Sequence, residues 1–148
     1  MSENIQFFLK VVFAHVFTYT LCGAVYSKIN KYKGWIQKQD TWRSPDSLIY
    51  KFVPLIQIIR GVLFGIVFLP LRNTVVYAEF GILWVFLMVV ILGIINTPAP
   101  SPGSIEGAIY LKPVKTPLNV ALGGMIEMLT QILLFSIIIS IRWLDLIR

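Results

Sequence analysis

Three ionisable side chains interrupt otherwise apolar stretches of this chain: His15, Arg60 and Glu127. Arg60 stands at the midpoint of the run from Lys51 to Pro70, which is long and apolar enough to cross a bilayer. A guanidinium stays charged in practice, and leaving one unanswered in hydrocarbon costs roughly 3 kcal/mol on insertion scales. Glu127, midway along the last apolar segment, is the expected counter-charge. His15, in the middle of the first segment, is placed too deep to reach water by extending its side chain. Gln57 lies one turn before Arg60 on the same helical face, while Gln131 and Tyr19 flank Glu127 and His15 in the same way. These six side chains form the expected binding site, for an anion, a proton or a polar headgroup. Arg60 would be the fixed charge, with His15 and Glu127 titrating. The plainer alternative is that Arg60 and Glu127 pair only to fix helix order, with His15 bonded to a backbone carbonyl or to Tyr19.

Other chemistry has less to stand on. Glu106, in Ser104-Ile-Glu106-Gly107 beside a Pro-Gly turn, is a candidate gating or binding carboxylate; the alternative is a solvated loop acid that caps the Ser104 turn. The single cysteine, Cys22, has no partner for a disulfide and no zinc-ligand spacing, so it reads as a small packing residue. No HExxH, GxSxG, paired-aspartate signature or Gly-rich phosphate loop occurs, so no catalytic residue, metal site or cofactor is assigned.

The elements that must carry these residues follow from composition. Of 148 residues, 57% are hydrophobic and 14% charged, with a mean hydropathy of +0.78; a soluble domain has about a quarter charged. An all-α, polytopic integral membrane protein is expected, a single transmembrane domain of four helices covering 5–26, 48–69, 75–95 and 118–141. Ser2 and Glu3 suit the start of the first helix. That helix is read as retained, because Glu3 spoils a basic leader and no small-x-small cleavage site follows. Its face of His15, Thr18, Tyr19, Cys22 and Tyr26 is expected to look inward. In the second span Pro54 falls in the first turns, and Gly61 and Gly65 form a GxxxG pair that admits a close neighbour. The third span has Glu79 near one end and reads as scaffold. On the fourth, Gly123, Gly124, Glu127, Thr130, Gln131 and Leu134 share one stripe.

Two loops differ from the rest. Residues 28–51 interleave Lys28, Lys31, Lys33, Lys38, Arg43 and Lys51 with Tyr32, Trp35 and Trp42, the composition of a segment lying among anionic lipid headgroups. Ile29, Tyr32, Trp35 and Ile36 could form one side of a short interfacial helix. Residues 96–117 hold Pro98, Pro100, Pro102, Pro113 and Pro117, which predicts turns and extended chain with an apolar patch that docks on the bundle. The net charge of +6 does not indicate nucleic acid, because the basic residues flank apolar spans. Their asymmetry predicts loops 27–47 and 96–117 in the cytoplasm and both termini outside. Counted from the cytoplasmic ends of the spans, His15, Arg60 and Glu127 fall within roughly 3 Å of one depth.

Three functions are compatible with this reading. The first is a buried His/Arg/Glu cluster that binds or conducts a small polar or anionic species, in a homo-oligomer because four short helices enclose little pathway. The second is an accessory subunit docked on a partner membrane subunit, and the third a lipid-modifying enzyme with His15 or Glu106 as base.

Overall fold

A computed structural model describes residues 2–30, 48–97, 101, 103–105, 109 and 118–142, and these are helical with no strand among them. Helix α1 spans Glu3–Asn30 and opens as its sequence suggests: the Ser2 hydroxyl accepts the Ile5 N–H at 3.4 Å and Glu3 sits in the first turn. It outruns the predicted end at residue 26. A 3-10 turn, Leu48–Phe52, feeds into helix α2, Val53–Phe68, with Pro54 in its first turn, where a missing N–H leaves no bond unmade. Helices α3, Arg72–Tyr77, and α4, Gly81–Val90, follow, and α4 runs into a π turn, Ile91–Ile95. Helix α5 is Leu118–Ser140.

The single helix expected over 75–95 is broken. Ala78 adopts an extended conformation (φ −71°, ψ 145°) that ends α3, and α4 starts anew at Gly81. Gly81 is packed so closely on the Val75 carbonyl that a Cβ there has no room. Backbone bonds cross the break: Ala78 N–H donates to Thr74 O at 3.3 Å, Gly81 N–H to Ala78 O at 3.1 Å, and Trp84 N–H to Phe80 O at 3.0 Å.

Helix α1 is the centre of the assembly, packed on α2 along one side and on α5 along another, with α4 lying against α5. The GxxxG pair performs the close approach. A Cβ added at Gly61 would stand 3.1 Å from the Val12 carbonyl oxygen, and one at Gly65 would stand 2.6 Å from the Phe8 ring. The core is Phe7, Val11, Ala14, Phe68, Val75, Val85, Phe135 and Ile139. His15, Thr18 and Cys22 are buried on the inward stripe of α1, while Phe13, Phe17, Leu21 and Val25 on the opposite side are exposed.

That exterior sets the class. Glu3–Ile29 and Leu118–Ser140 are long and apolar enough to cross a membrane, and only 28% of each apolar window is buried within the chain. The core helix of a soluble protein is mostly covered by its own fold; here the apolar side chains point outward and need lipid or other protein around them. These features support a helical membrane protein.

Candidate functional site

The register between helices decides which of the six side chains can meet. Gly65 meets Phe8, Gly61 meets Val12, and Gln57 bonds His15. On the other flank Glu127 approaches Gly23, Phe135 faces His15, and Ile139 O accepts from Lys10. Residue numbers therefore fall along both α2 and α5 as they rise along α1, so both run antiparallel to α1.

The same register corrects the expected common depth. Arg60 is level with Val12 and Phe13 of α1, whereas Glu127 is level with Gly23, about ten residues away or roughly 15 Å along the axis. No ion pair joins them among the described residues. Counting from loop boundaries failed because α2, packed on the N-terminal half of α1, and α5, reaching its C-terminal half, are staggered, and the small-residue contacts at Gly61 and Gly65 fix that stagger.

Two separate polar groups result. In the first, His15 Nε2–H donates to Gln57 Oε1 at 3.1 Å, and the same oxygen accepts from Arg60 Nη1 at 3.5 Å. His15 is 4% and Gln57 5% exposed. The imidazole lies 5.0 Å from the Phe64 ring, with Phe135 and Tyr19 each at 6.4 Å. Phe64 stacks on Phe68, and both rings meet Phe135 at a tilt, with centroids 5.5–6.1 Å apart between α2 and α5. Arg60 itself is exposed on the outer side of α2, in a field of exposed Leu55, Ile56, Ile59 and Leu63. In the second group Glu127 lies half-buried beside Gly23. The hydroxyls of Tyr26 and Thr130 bond at 3.2 Å nearby, and Gln131 is half-buried a turn further on.

Thus His15, Gln57 and Arg60 come together, with Tyr19 at their edge, while Glu127 and Gln131 stand apart. Glu106 lies outside the described residues, as do 31–47 of the basic loop. Beside Glu106, the Ser104 hydroxyl is buried and donates to Ser101 O at 2.8 Å, while Ile105 and Ile109 are exposed.

A further feature was not foreseen. Between α3, α4 and α5 opens a cleft of about 720 Å³ whose lining includes Tyr77, Glu79, Ser140 and Arg142. Nearby, Arg72 pairs with Glu3, and Lys10 donates to the carbonyls of Ile139 (2.9 Å) and Ile141 at the end of α5. Glu79 and Arg142 sit near the same end of their predicted spans, which is the signal the sequence held; the break at Ala78 that opens the cleft has no proline to announce it.

Compared with known proteins, the chain matches no family model, no curated protein and no solved structure.

Proposed function

We propose that the chain is a four-crossing integral membrane protein acting as an accessory subunit of a larger membrane complex, with Arg60 pairing to a carboxylate on a partner's transmembrane helix. The observation that carries this is the outward position of Arg60 on an apolar helix face. A charge there is costly against lipid, and is stabilised when a partner helix brings an acid to the same depth. The His15–Gln57 bond, buried beneath, fixes Gln57 and through it the base of the guanidinium.

The second crossing is Leu48–Phe68. Five 3-10 residues and sixteen α residues give about 34 Å, enough for a hydrocarbon core of about 30 Å. The third needs α3 as well as α4, since residues 81–95 alone reach only about 22 Å. Loops 27–47 and 96–117 are then cytoplasmic and both termini outside, with the basic loop on anionic headgroups.

A second copy of the chain is a poor source of the carboxylate. Of seven acidic residues only Glu79 and Glu127 fall within the four predicted spans. Glu127 is at the wrong depth for Arg60 in any parallel copy, and Glu79 lies near a span end. Binding or conduction of a small anion draws on the same Arg60, but the Phe64, Phe68 and Phe135 rings close the space beside His15. Base chemistry at His15 would need access that those rings deny.

Affinity purification of the full chain in a mild detergent tests the reading. We expect one stoichiometric membrane partner, lost with Arg60→Gln and largely kept with Arg60→Lys. A clean monomer or homo-oligomer, or a partner that Arg60→Gln retains undiminished, would overturn it.

A further inference from the structure

Arg60 belongs to a row of outward side chains on α2. Ile56, Arg60, Leu63 and Val67 follow one another at intervals of four, three and four residues, and all four are exposed, Ile56 by 43%, Leu63 by 58% and Val67 by 60%. A helix presents a seam at this spacing to a second helix crossing it at a shallow angle. The seam is turned by roughly 120° from the buried stripe of Gln57, Gly61, Gly65 and Phe68, so it is separate from the surface that packs on α1. Leu55, Ile58 and Ile66, also exposed, lie on a third side. Depth is a second observation. In the crossing Leu48–Phe68, five 3-10 residues and the α residues on either side of Gln57 place it about 17 Å from each end. Arg60 lies one turn beyond, yet its Nη1 reaches back to Gln57 Oε1 at 3.5 Å, along the lean of helix side chains toward the N-terminus. The guanidinium is thereby drawn toward the middle of the crossing and away from the nearer headgroups, the reverse of an arginine that extends to reach water.

We propose that this seam receives one transmembrane helix of a second membrane protein, whose Asp or Glu stands midway along its own span. The inference rests on the reading of Arg60 as a partner-binding charge, and adds to it the face, the depth and the kind of partner. Charge complementarity selects the occupant. A guanidinium among Ile56, Leu63 and Val67 is stabilised by an anion at its own depth, and a lipid phosphate stays at the headgroups, about 15 Å from the midplane. A helix lying along the seam packs its side chains against Ile56, Leu63 and Val67 and sets a carboxylate on the two-pronged guanidinium. An acid near the end of the partner's span would miss the charge by about two turns. A second copy of the chain misses it in either orientation, because Glu127 is level with Gly23, about 12 Å from the level of His15 and Gln57.

The test is photocrosslinking of the full chain in its native membrane, with p-benzoyl-phenylalanine placed in turn at Ile56, Leu63 and Val67 on the seam and at Leu55, Ile58 and Ile66 on the third side. Mass spectrometry identifies the joined peptide, and yields are taken relative to the amount of inserted chain, so that a lost fold is not read as a lost partner. The seam positions should join one transmembrane peptide with Asp or Glu about ten residues from either end of its span, and the third side should give background only. Arg60→Gln should lower the seam yield roughly tenfold or more, and Arg60→Lys should keep most of it. Arg60→Glu together with an arginine in place of the partner's acid should restore it. Equal yields from both sides, a joined peptide of this chain, or a partner whose acid lies in the last two turns of its span would overturn the proposed face and depth. If such a crosslink still fell with Arg60→Gln, the accessory-subunit reading would stand without them. Products with lipid alone, or none from any of the six positions, would overturn both.

Discussion

At the scale of single residues, Gln57 joins more of the polar interior than any charged side chain does. Its one carbonyl oxygen takes the His15 proton at 3.1 Å and the Arg60 Nη1 proton at 3.5 Å. Replacing it with leucine would leave a buried imidazole N–H with no acceptor, which costs about 1–3 kcal/mol. We expect Gln57→Leu to lower the unfolding free energy in detergent by that amount. Adding His15→Leu should restore much of the loss, because apolar groups of similar shape need no partners. A double variant as weak as the sum of its parts would show that the bond does not hold α1 to α2. The sequence made His15, Gln57 and Arg60 visible, since polar residues within apolar runs are few. It did not show that Arg60 faces outward, because side-chain direction depends on which side of α2 lies against α1.

At the scale of helices, α1 and α2 are held by shape more than by burial. Hydrocarbon outside is as apolar as the interior, so within a membrane the gain comes from close packing. Gly61 supplies it at the Val12 backbone and Gly65 at the Phe8 ring. Gly61→Ala should cost about 1–3 kcal/mol in a detergent unfolding titration, because the atoms it meets are main chain and the helices must separate. Gly65→Ala meets a side chain instead, so Phe8→Leu should relieve it, whereas the same change should do nothing for Gly61→Ala. The GxxxG spacing, Pro54 in the first turn and the Ser2 start were all legible because each is a local rule. The break between Tyr77 and Gly81 was not: Val75, Val76 and Ala78 continue an apolar run, and only the contact of Gly81 with the Val75 carbonyl reveals why the chain turns there.

At the scale of the whole molecule, α1 stands between two antiparallel neighbours whose staggering separates the charges that composition alone would unite. Long apolar runs gave the helices away, since length and hydropathy are all that crossing a bilayer demands. Depth could not be read in the same way. Counting from loop ends assumes helices that start level, and here α2 lies against the N-terminal half of α1 while Glu127 on α5 lies against Gly23, towards its C-terminal half. The proposed function turns on this: a guanidinium answered by Glu127 would be a strut inside one chain, whereas one that faces outward would be answered, on the proposed reading, by a carboxylate from a partner. A double-mutant cycle in the purified protein separates these directly, using Arg60→Gln, Glu127→Gln and their combination, together with the exchanged Arg60→Glu/Glu127→Arg. The account predicts that the two unfolding free-energy changes add to within about 0.5 kcal/mol and that the exchange rescues nothing. Coupling above about 1 kcal/mol, or folding restored by the exchange, would contradict it.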